Sequence, residues 1–97
     1  MRISLNSIMV KNKNILFRKE GDKIVLLDEL TGTPYFLEGT GAFIWNKING
    51  KNSIKDILFL LRKKYSGNEQ EMKKDLIEFI TVLKNNNLIT LRANDTG

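Results

Sequence analysis

The sequence contains no cysteine and no histidine, and it has a single proline, Pro34, in 97 residues. Without cysteine and histidine there can be no disulfide framework, and the usual zinc ligands are missing. The Cys–His and Ser-His-Asp sets of nucleophilic catalysis are excluded for the same reason. We therefore predict a protein that is not an enzyme and that uses no metal and no cofactor.

Long apolar runs are also absent. The longest, ILFLL at residues 57–61, is far shorter than the roughly 20 residues that a membrane-spanning helix needs. The N-terminal stretch MRISLNSIMV is interrupted by polar residues, so it lacks the apolar centre of a signal peptide. These absences predict a cytoplasmic protein without a membrane partner.

What is present is an ordinary globular balance, with 41% hydrophobic and 28% charged residues. We predict one domain over residues 1–97, with a core of about 8–89 and a frayed tail at 93–97. The formal net charge of +5 is compatible with several kinds of partner, so the positions of the basic residues must decide between them. The densest basic run, residues 62–64, falls at the end of a predicted helix, where cations complement the helix dipole.

Residues 14–38 consist of strand-like runs separated by turns. The runs NILFRKE, KIVLLD and TPYFLE are divided by Gly21-Asp22 and by the Thr31-Gly32 region, which predicts a three-stranded antiparallel meander. Pro34 marks the third run as an edge strand, because proline cannot donate to a ladder of backbone hydrogen bonds.

After the third strand the apolar period changes from two to about 3.6, as in a helix. Thr40 is the predicted N-cap of the first helix, and Gly50 is predicted to follow its end. Capping patterns at 53–56 and 68–71 predict two further helices, and LITLR at 88–92 is expected to pack back as an extended tail. The predicted fold is α+β: a three-stranded antiparallel sheet followed by three helices, winged-helix-like.

The stretch LFRKEGDKIVLLDELTGTPYFLEGTGAFIWNKINGKNSIKDILFLL resembles the PqqD family, the RiPP recognition elements that bind leader peptides of ribosomally made, modified natural products. The resemblance rests on the Gly-Asp hairpin, the Thr-Gly turn, the aromatic strand, and Leu37 placed three residues before Thr40-Gly41. It continues through Ile44-Trp45, Asp75-Leu76 and Phe79, and it extends over about residues 8–89.

The resemblance implies a peptide chaperone without catalysis of its own. The leader segment of a precursor peptide would add as a further β-strand beside the third strand, in a groove closed by the third helix, and would be presented to a modifying enzyme or leader peptidase. The compact form is similar to the stand-alone proteins of lasso-peptide clusters, and we expect a monomer when it is free. Glu38 and Pro34 depart from the family pattern, which leaves the pairing register open.

Candidate peptide contacts lie on the third strand and on one shoulder of the third helix. In the strand they are Thr33, Tyr35, Phe36, Leu37 and Glu38. In the helix they form a stripe of two isoleucines and two lysines: Lys73, Ile77, Ile80 and Lys84. The alternative is that the isoleucines belong to the core while the lysines extend to solvent.

The sequence leaves open which face of the third strand packs on the core. Tyr35 and Leu37 share one face of the strand and Phe36 lies on the other, and the family pattern suggests that Leu37 points inward. Trp45 is expected in the core.

Phe59 and Leu60 point away from the apolar face of the second helix. An exposed apolar pair is typical of a partner surface, here one for a modifying enzyme or leader peptidase. The alternative is a central helix that is buried on two sides.

A winged-helix DNA-binding protein is the main rival, since the fold and the net charge permit it. We nevertheless expect no nucleic-acid partner, because the second helix offers Phe59 and Leu60 where a recognition helix would present Arg, Asn or Gln to base edges. An enzyme with an anion site at Gly39-Thr40-Gly41 is a weaker hypothesis than DNA binding, because no base or nucleophile accompanies this segment.

Overall fold

The computed structural model describes residues 3–93. The elements in chain order are β1 (Ile8–Lys11), β2 (Ile15–Glu20), β3 (Lys23–Asp28), β4 (Pro34–Glu38), α1 (Thr40–Lys47), α2 (Ile54–Lys64), α3 (Glu69–Asn85) and β5 (Ile89–Arg92). The predicted α+β class is confirmed, with the three-stranded meander followed by three helices. Most of the predicted frayed tail, residues 94–97, lies outside the described residues.

The meander forms a sheet in the order β2-β3-β4, and both pairings are antiparallel. Gly21, with φ of 66°, allows the tight turn between β2 and β3. Ile24 and Leu26 of β3 face the helices and are buried, whereas Leu27, one residue further along, is 40% exposed. This alternation with period two places one face of the sheet on the core and leaves the other face open.

A second sheet joins the two ends of the domain. Strand β1 pairs antiparallel with β5, with Ile8 opposite Arg92 and Lys11 opposite Ile89. The returning tail at 88–92 was predicted, but its partner strand β1 was not. The pairing is stable because Met9 and Ile89 bury their side chains in the common core, at 0% and 1% exposure.

Local sequence sets the ends of the helices. The Ser53 hydroxyl accepts the N–H of Asp56 while the Asp56 carboxylate accepts the N–H of Ser53, which is the predicted capping box of α2. Asn68 caps α3, as predicted, by accepting the N–H groups of Gln70 and Glu71. The start of α1 differs from the prediction, because Thr40 is its first helical residue and Gly39, with φ of 59°, is the N-cap. The sharp exit from β4 requires that left-handed conformation, which glycine adopts without strain.

The core lies between the inner face of the sheet and the three helices, and α3 also packs against α2 and β5. Trp45 of α1 is completely buried, as predicted. Its ring makes an edge contact with Phe17 of β2, with ring centroids 5.9 Å apart. The other side chains with under 2% exposure are Met9, Ile24, Leu26, Ile48, Ile54, Ile57, Leu76, Ile80, Leu83, Leu88 and Ile89.

Candidate functional site

Strand β4 is an edge strand, because within the described part of the chain its partner is β3 alone. The carbonyl of Thr33 accepts the N–H of Asp28 at 3.0 Å. Backbone groups of alternate residues point to opposite sides of an antiparallel strand, so those of Tyr35 and Leu37 also point toward β3. The N–H and C=O groups of Phe36 and Glu38 therefore point to the open edge.

This geometry explains why Pro34 is tolerated. Pro34 lies opposite Leu27 of β3, and the alternation places its backbone on the open side together with that of Phe36. The donor that proline lacks is therefore one that β3 would not have used. An incoming strand can take donors from Phe36 and Glu38, and only a carbonyl from Pro34.

The side chains of β4 divide between core and solvent. Tyr35 and Leu37 are half-buried and pack against the core, which confirms the inward orientation of Leu37. Phe36 is 74% exposed on the outer face of the sheet. The Glu38 carboxylate lies 3.8 Å from the ammonium group of Lys23, and the Thr33 hydroxyl is hydrogen-bonded to that of Thr31 at 2.9 Å.

Helix α3 comes close to the end of β4 through Phe79. A Cβ atom at Gly41 would lie 3.3 Å from Cζ of Phe79 and 4.0 Å from Cδ2 of Leu37, so both side chains flank this glycine. Phe79 is half-buried, with part of its ring accessible. The open edge of β4 and one shoulder of α3 thus belong to one surface.

A cavity of about 380 Å³ continues this surface where β4 ends. It lies between the start of α1, the end of α2 and the same shoulder of α3. Its lining is mostly apolar, and Asp75 is the one charged residue among the described residues that line it. The lining residues are Thr40, Gly41, Ile44, Leu61, Tyr65, Met72, Asp75, Leu76 and Phe79.

The structure does not bring the predicted stripe of α3 beside β4. Lys73 lines a different groove, with Lys55 and Phe59 of α2. Ile80 is 0% exposed, so it supports the core and offers no surface to a peptide. Ile77 and Lys84 follow Lys73 at spacings of four and eleven residues, which places them on the same shoulder of the helix as Lys73 and away from Phe79.

The residues of α3 that do face this surface are Met72, Asp75 and Phe79. Met72 and Phe79 are half-buried and pack at the border of the core. Asp75 and Phe79 also carry part of the resemblance to the PqqD family, so that pattern was the signal in the sequence that could have identified them.

The predicted partner surface on α2 is apolar in part. Phe59 is 54% exposed, whereas Leu60 is half-buried and Leu58 is buried. The Nζ atom of Lys63 lies 4.7 Å from the centroid of the Phe59 ring. Phe59 therefore supplies more of the exposed apolar surface of this helix than Leu60 does.

The opposite edge of the sheet, on β2, is more encumbered than that of β4. The N–H of Ile15 donates to the Asn12 carbonyl at 3.2 Å. The ammonium group of Lys11 lies over the ring of Phe17, 4.4 Å from its centroid. Burial, followed by repulsion from Lys19, lowers the pKa of Lys11 from its usual value. Part of the β2 edge is thus already in contact with the segment that precedes it.

The acidic side chains of residues 3–93 are not clustered as a metal site requires. No group of three or more acidic side chains is placed there to hold a metal ion. None of the helices in this range combines the length and apolarity needed to cross a membrane.

An open strand edge beside a partly apolar groove defines a class of small α+β domain suited to binding an extended peptide. The family model described as Coenzyme PQQ synthesis protein D (PqqD) matches residues 23–89, so the chain belongs to the PqqD family. A comparison with curated proteins finds no match.

Two solved structures share the fold. TbiB1, solved in complex with the TbiA(beta) leader peptide, is 25% identical with a TM-score of 0.81, and the match covers 88% of this chain and 99% of that chain. A lasso peptide synthetase B1 complexed with the leader peptide is 23% identical with a TM-score of 0.76, over 84% of this chain and 96% of the other. The match therefore extends over nearly the whole of both solved chains.

Proposed function

We propose that this protein binds the leader segment of a ribosomally made precursor peptide by β-strand addition and presents it to a modifying enzyme or leader peptidase. It acts by binding and catalyses no reaction itself. The observation that carries this proposal is the open edge of β4, whose outward N–H and C=O groups at Phe36 and Glu38 lie next to the Phe79 shoulder of α3. The family membership and the two leader-peptide complexes of similar fold support it.

The free backbone groups define a register for the guest strand. Phe36 and Glu38 each offer one donor and one acceptor at alternate positions, so the guest forms its main-chain hydrogen bonds there. Pro34 adds only an acceptor, which limits pairing at that end of β4. These bonds demand little of the guest sequence, and selectivity must come from side-chain pockets.

Alternate side chains of the guest meet different surfaces. Those on the inner side of the extended sheet face Phe79, whereas those on the outer side lie beside the exposed ring of Phe36. A guest that continues past Glu38 reaches the cavity of about 380 Å³ between the helices. We assign this cavity to an apolar side chain of the leader, with the Asp75 carboxylate available to a donor group beside it.

The decisive experiment is a titration of isotope-labelled protein with the leader half of a precursor peptide encoded beside its gene, followed by amide chemical shifts. Shift changes concentrated at residues 36–41 and 72–79 would support the proposal. Changes concentrated at residues 15–19 would assign the guest to the β2 edge. No change with any such leader, together with steeply salt-dependent binding of duplex DNA, would favour a DNA-binding protein.

A further inference from the structure

A second groove lies on the other shoulder of α3, between this helix, α2 and the N-terminal segment. It has a volume of about 450 Å³. Leu58 and Phe59 supply apolar surface, and three cationic side chains line it: Lys55, Arg62 and Lys73. The groove therefore combines an accessible aromatic ring with a basic border.

The positive charge of this groove is only partly neutralised. Among the described residues of the lining, Glu69 is the one acidic residue, and its carboxylate lies 3.3 Å from the guanidinium of Arg62. Lys63, adjacent on α2, places its ammonium group over the Phe59 ring. A complementary ligand must bring negative charge together with an apolar group.

We propose that this groove, lined by Lys55, Phe59, Arg62 and Lys73, docks an acidic segment of a partner protein that carries an apolar anchor side chain. The anchor packs against Phe59 while carboxylates meet the surrounding cations. Identifying the partner as the enzyme that processes the bound precursor rests on the proposed function, whereas the chemistry of the groove does not.

A protein segment fits these features better than a nucleic acid does. A phosphate backbone has no apolar group for Phe59. An apolar anchor bordered by charged pairs is the usual arrangement at a protein interface.

The position of the groove permits simultaneous binding of a leader. Lys73 faces the groove, whereas Asp75 and Phe79 face the cavity on the opposite shoulder of α3. A leader strand on β4 and a docked segment on α2 and α3 would not compete for the same residues. The domain could then hold substrate and enzyme together, which raises their effective concentration.

The test uses a fluorescein-labelled synthetic peptide in which glutamates surround a single leucine, measured by fluorescence anisotropy. A second peptide, with glutamine in place of every glutamate, controls for charge. We expect Lys55→Glu combined with Lys73→Glu to weaken binding by about tenfold or more. Phe59→Ala should weaken binding by about fivefold to tenfold.

The matched control is Lys13→Glu combined with Lys19→Glu. It changes the net charge equally, but Lys13 lies in the turn before β2 and Lys19 lies in β2. An equal loss of affinity in this control would mean general electrostatic attraction and would overturn the proposal. Tighter binding of duplex DNA, or of vesicles containing phosphatidylserine, than of the acidic peptide would also overturn it.

Leader binding is measured in parallel on the same variants. Loss of acidic-peptide binding with unchanged leader affinity supports two separate sites. If the wild type binds the acidic peptide but no leader, the proposed function fails while the docking groove stands. If the leader binds but the acidic peptide does not, only the docking proposal fails.

Discussion

The ring of Phe79 lies against Gly41, so that a Cβ atom at this position would be only 3.3 Å from Cζ of the ring. Gly41 is the second residue of α1, and Phe79 lies on α3. Because Leu37 flanks the same glycine, this contact joins the open edge of β4 to the cavity between the helices. The fit of the three residues controls the surface that a leader would meet.

Gly41→Ala should therefore weaken leader binding while changing the stability of the domain little. The methyl group gains about 1 kcal/mol of helix propensity, which offsets the cost of moving a half-buried ring by a few tenths of an ångström. We expect the free energy of unfolding to change by less than about 1 kcal/mol. Leader affinity should fall, because the displaced ring narrows the cavity, and calorimetric titration measures the change.

The control for this prediction is Gly41→Ala combined with Phe79→Leu, which removes the crowded ring edge. A double-mutant cycle should give a favourable coupling between the two substitutions in leader binding. Unchanged leader affinity in Gly41→Ala alone would show that the contact does not shape the binding surface.

Phe36→Pro tests the open edge directly. The N–H of Phe36 points away from β3, so the substitution removes a donor that the β3–β4 ladder does not use and that a guest strand would use. We expect the domain to fold and leader affinity to drop by about fivefold or more, the equivalent of one lost hydrogen bond. Phe36→Ala is the matched control, because it removes the same ring but keeps the N–H.

A proline one residue further along should behave differently. The N–H of Leu37 points toward β3, so Leu37→Pro breaks the existing ladder and should lower the melting temperature sharply. Circular dichroism measures this difference. If Phe36→Pro and Phe36→Ala bind the leader equally well, strand addition at this edge is wrong.

The parts of the fold that depend on near neighbours were predictable from the sequence. Glycine-containing turns and alternation located the meander, and the cap at Ser53 located the start of α2, because these signals act within a few residues. The pairing of β1 with β5 was not predicted. Its partners, such as Met9 and Leu91, are separated by nearly the whole chain, and no local pattern records such a contact.

The candidate site was predictable on the strand but not on α3. The edge position of β4 follows from Pro34, and the inward orientation of Leu37 was suggested by the family pattern. The rotation of α3 depends on how Leu76, Ile80 and Leu83 settle among the other elements. A helical projection gives two shoulders beside such a face, and only tertiary packing decides which one borders β4.

The single variants Phe79→Ala and Ile77→Ala, compared with each other, test which shoulder of α3 the leader contacts. Both residues are half-buried on the same helix, so both substitutions should cost stability, about 1 to 4 kcal/mol each. Leader affinity should fall only for Phe79→Ala, because Ile77 lies on the shoulder of Lys73. Binding is measured at a temperature where both variants are folded. A larger loss of affinity for Ile77→Ala would restore the stripe inferred from the sequence.

The hydrogen bonds accepted by the Asp28 carboxylate predict a loss of stability in acid. Its carboxylate accepts the N–H of Leu30 at 2.9 Å and the side-chain amide of Asn14 at 3.1 Å. Burial raises the pKa of Asp28, but these hydrogen bonds, with those from Thr31, outweigh burial and hold the pKa below its ordinary value of 3.8. The folded state therefore binds this proton less tightly than the unfolded state does.

The stabilisation from Asp28 is fully present above the unfolded pKa and is lost as pH falls through the lower folded pKa. Urea unfolding at several pH values between neutral and about 2 measures this loss. Asp28→Asn is the control, because the amide keeps the shape and one acceptor but does not titrate in this range. We expect Asp28→Asn to be less stable at neutral pH and its stability to change less in acid than that of the wild type. If the two proteins lose stability identically in acid, the charge of Asp28 does not contribute to the stability of the domain.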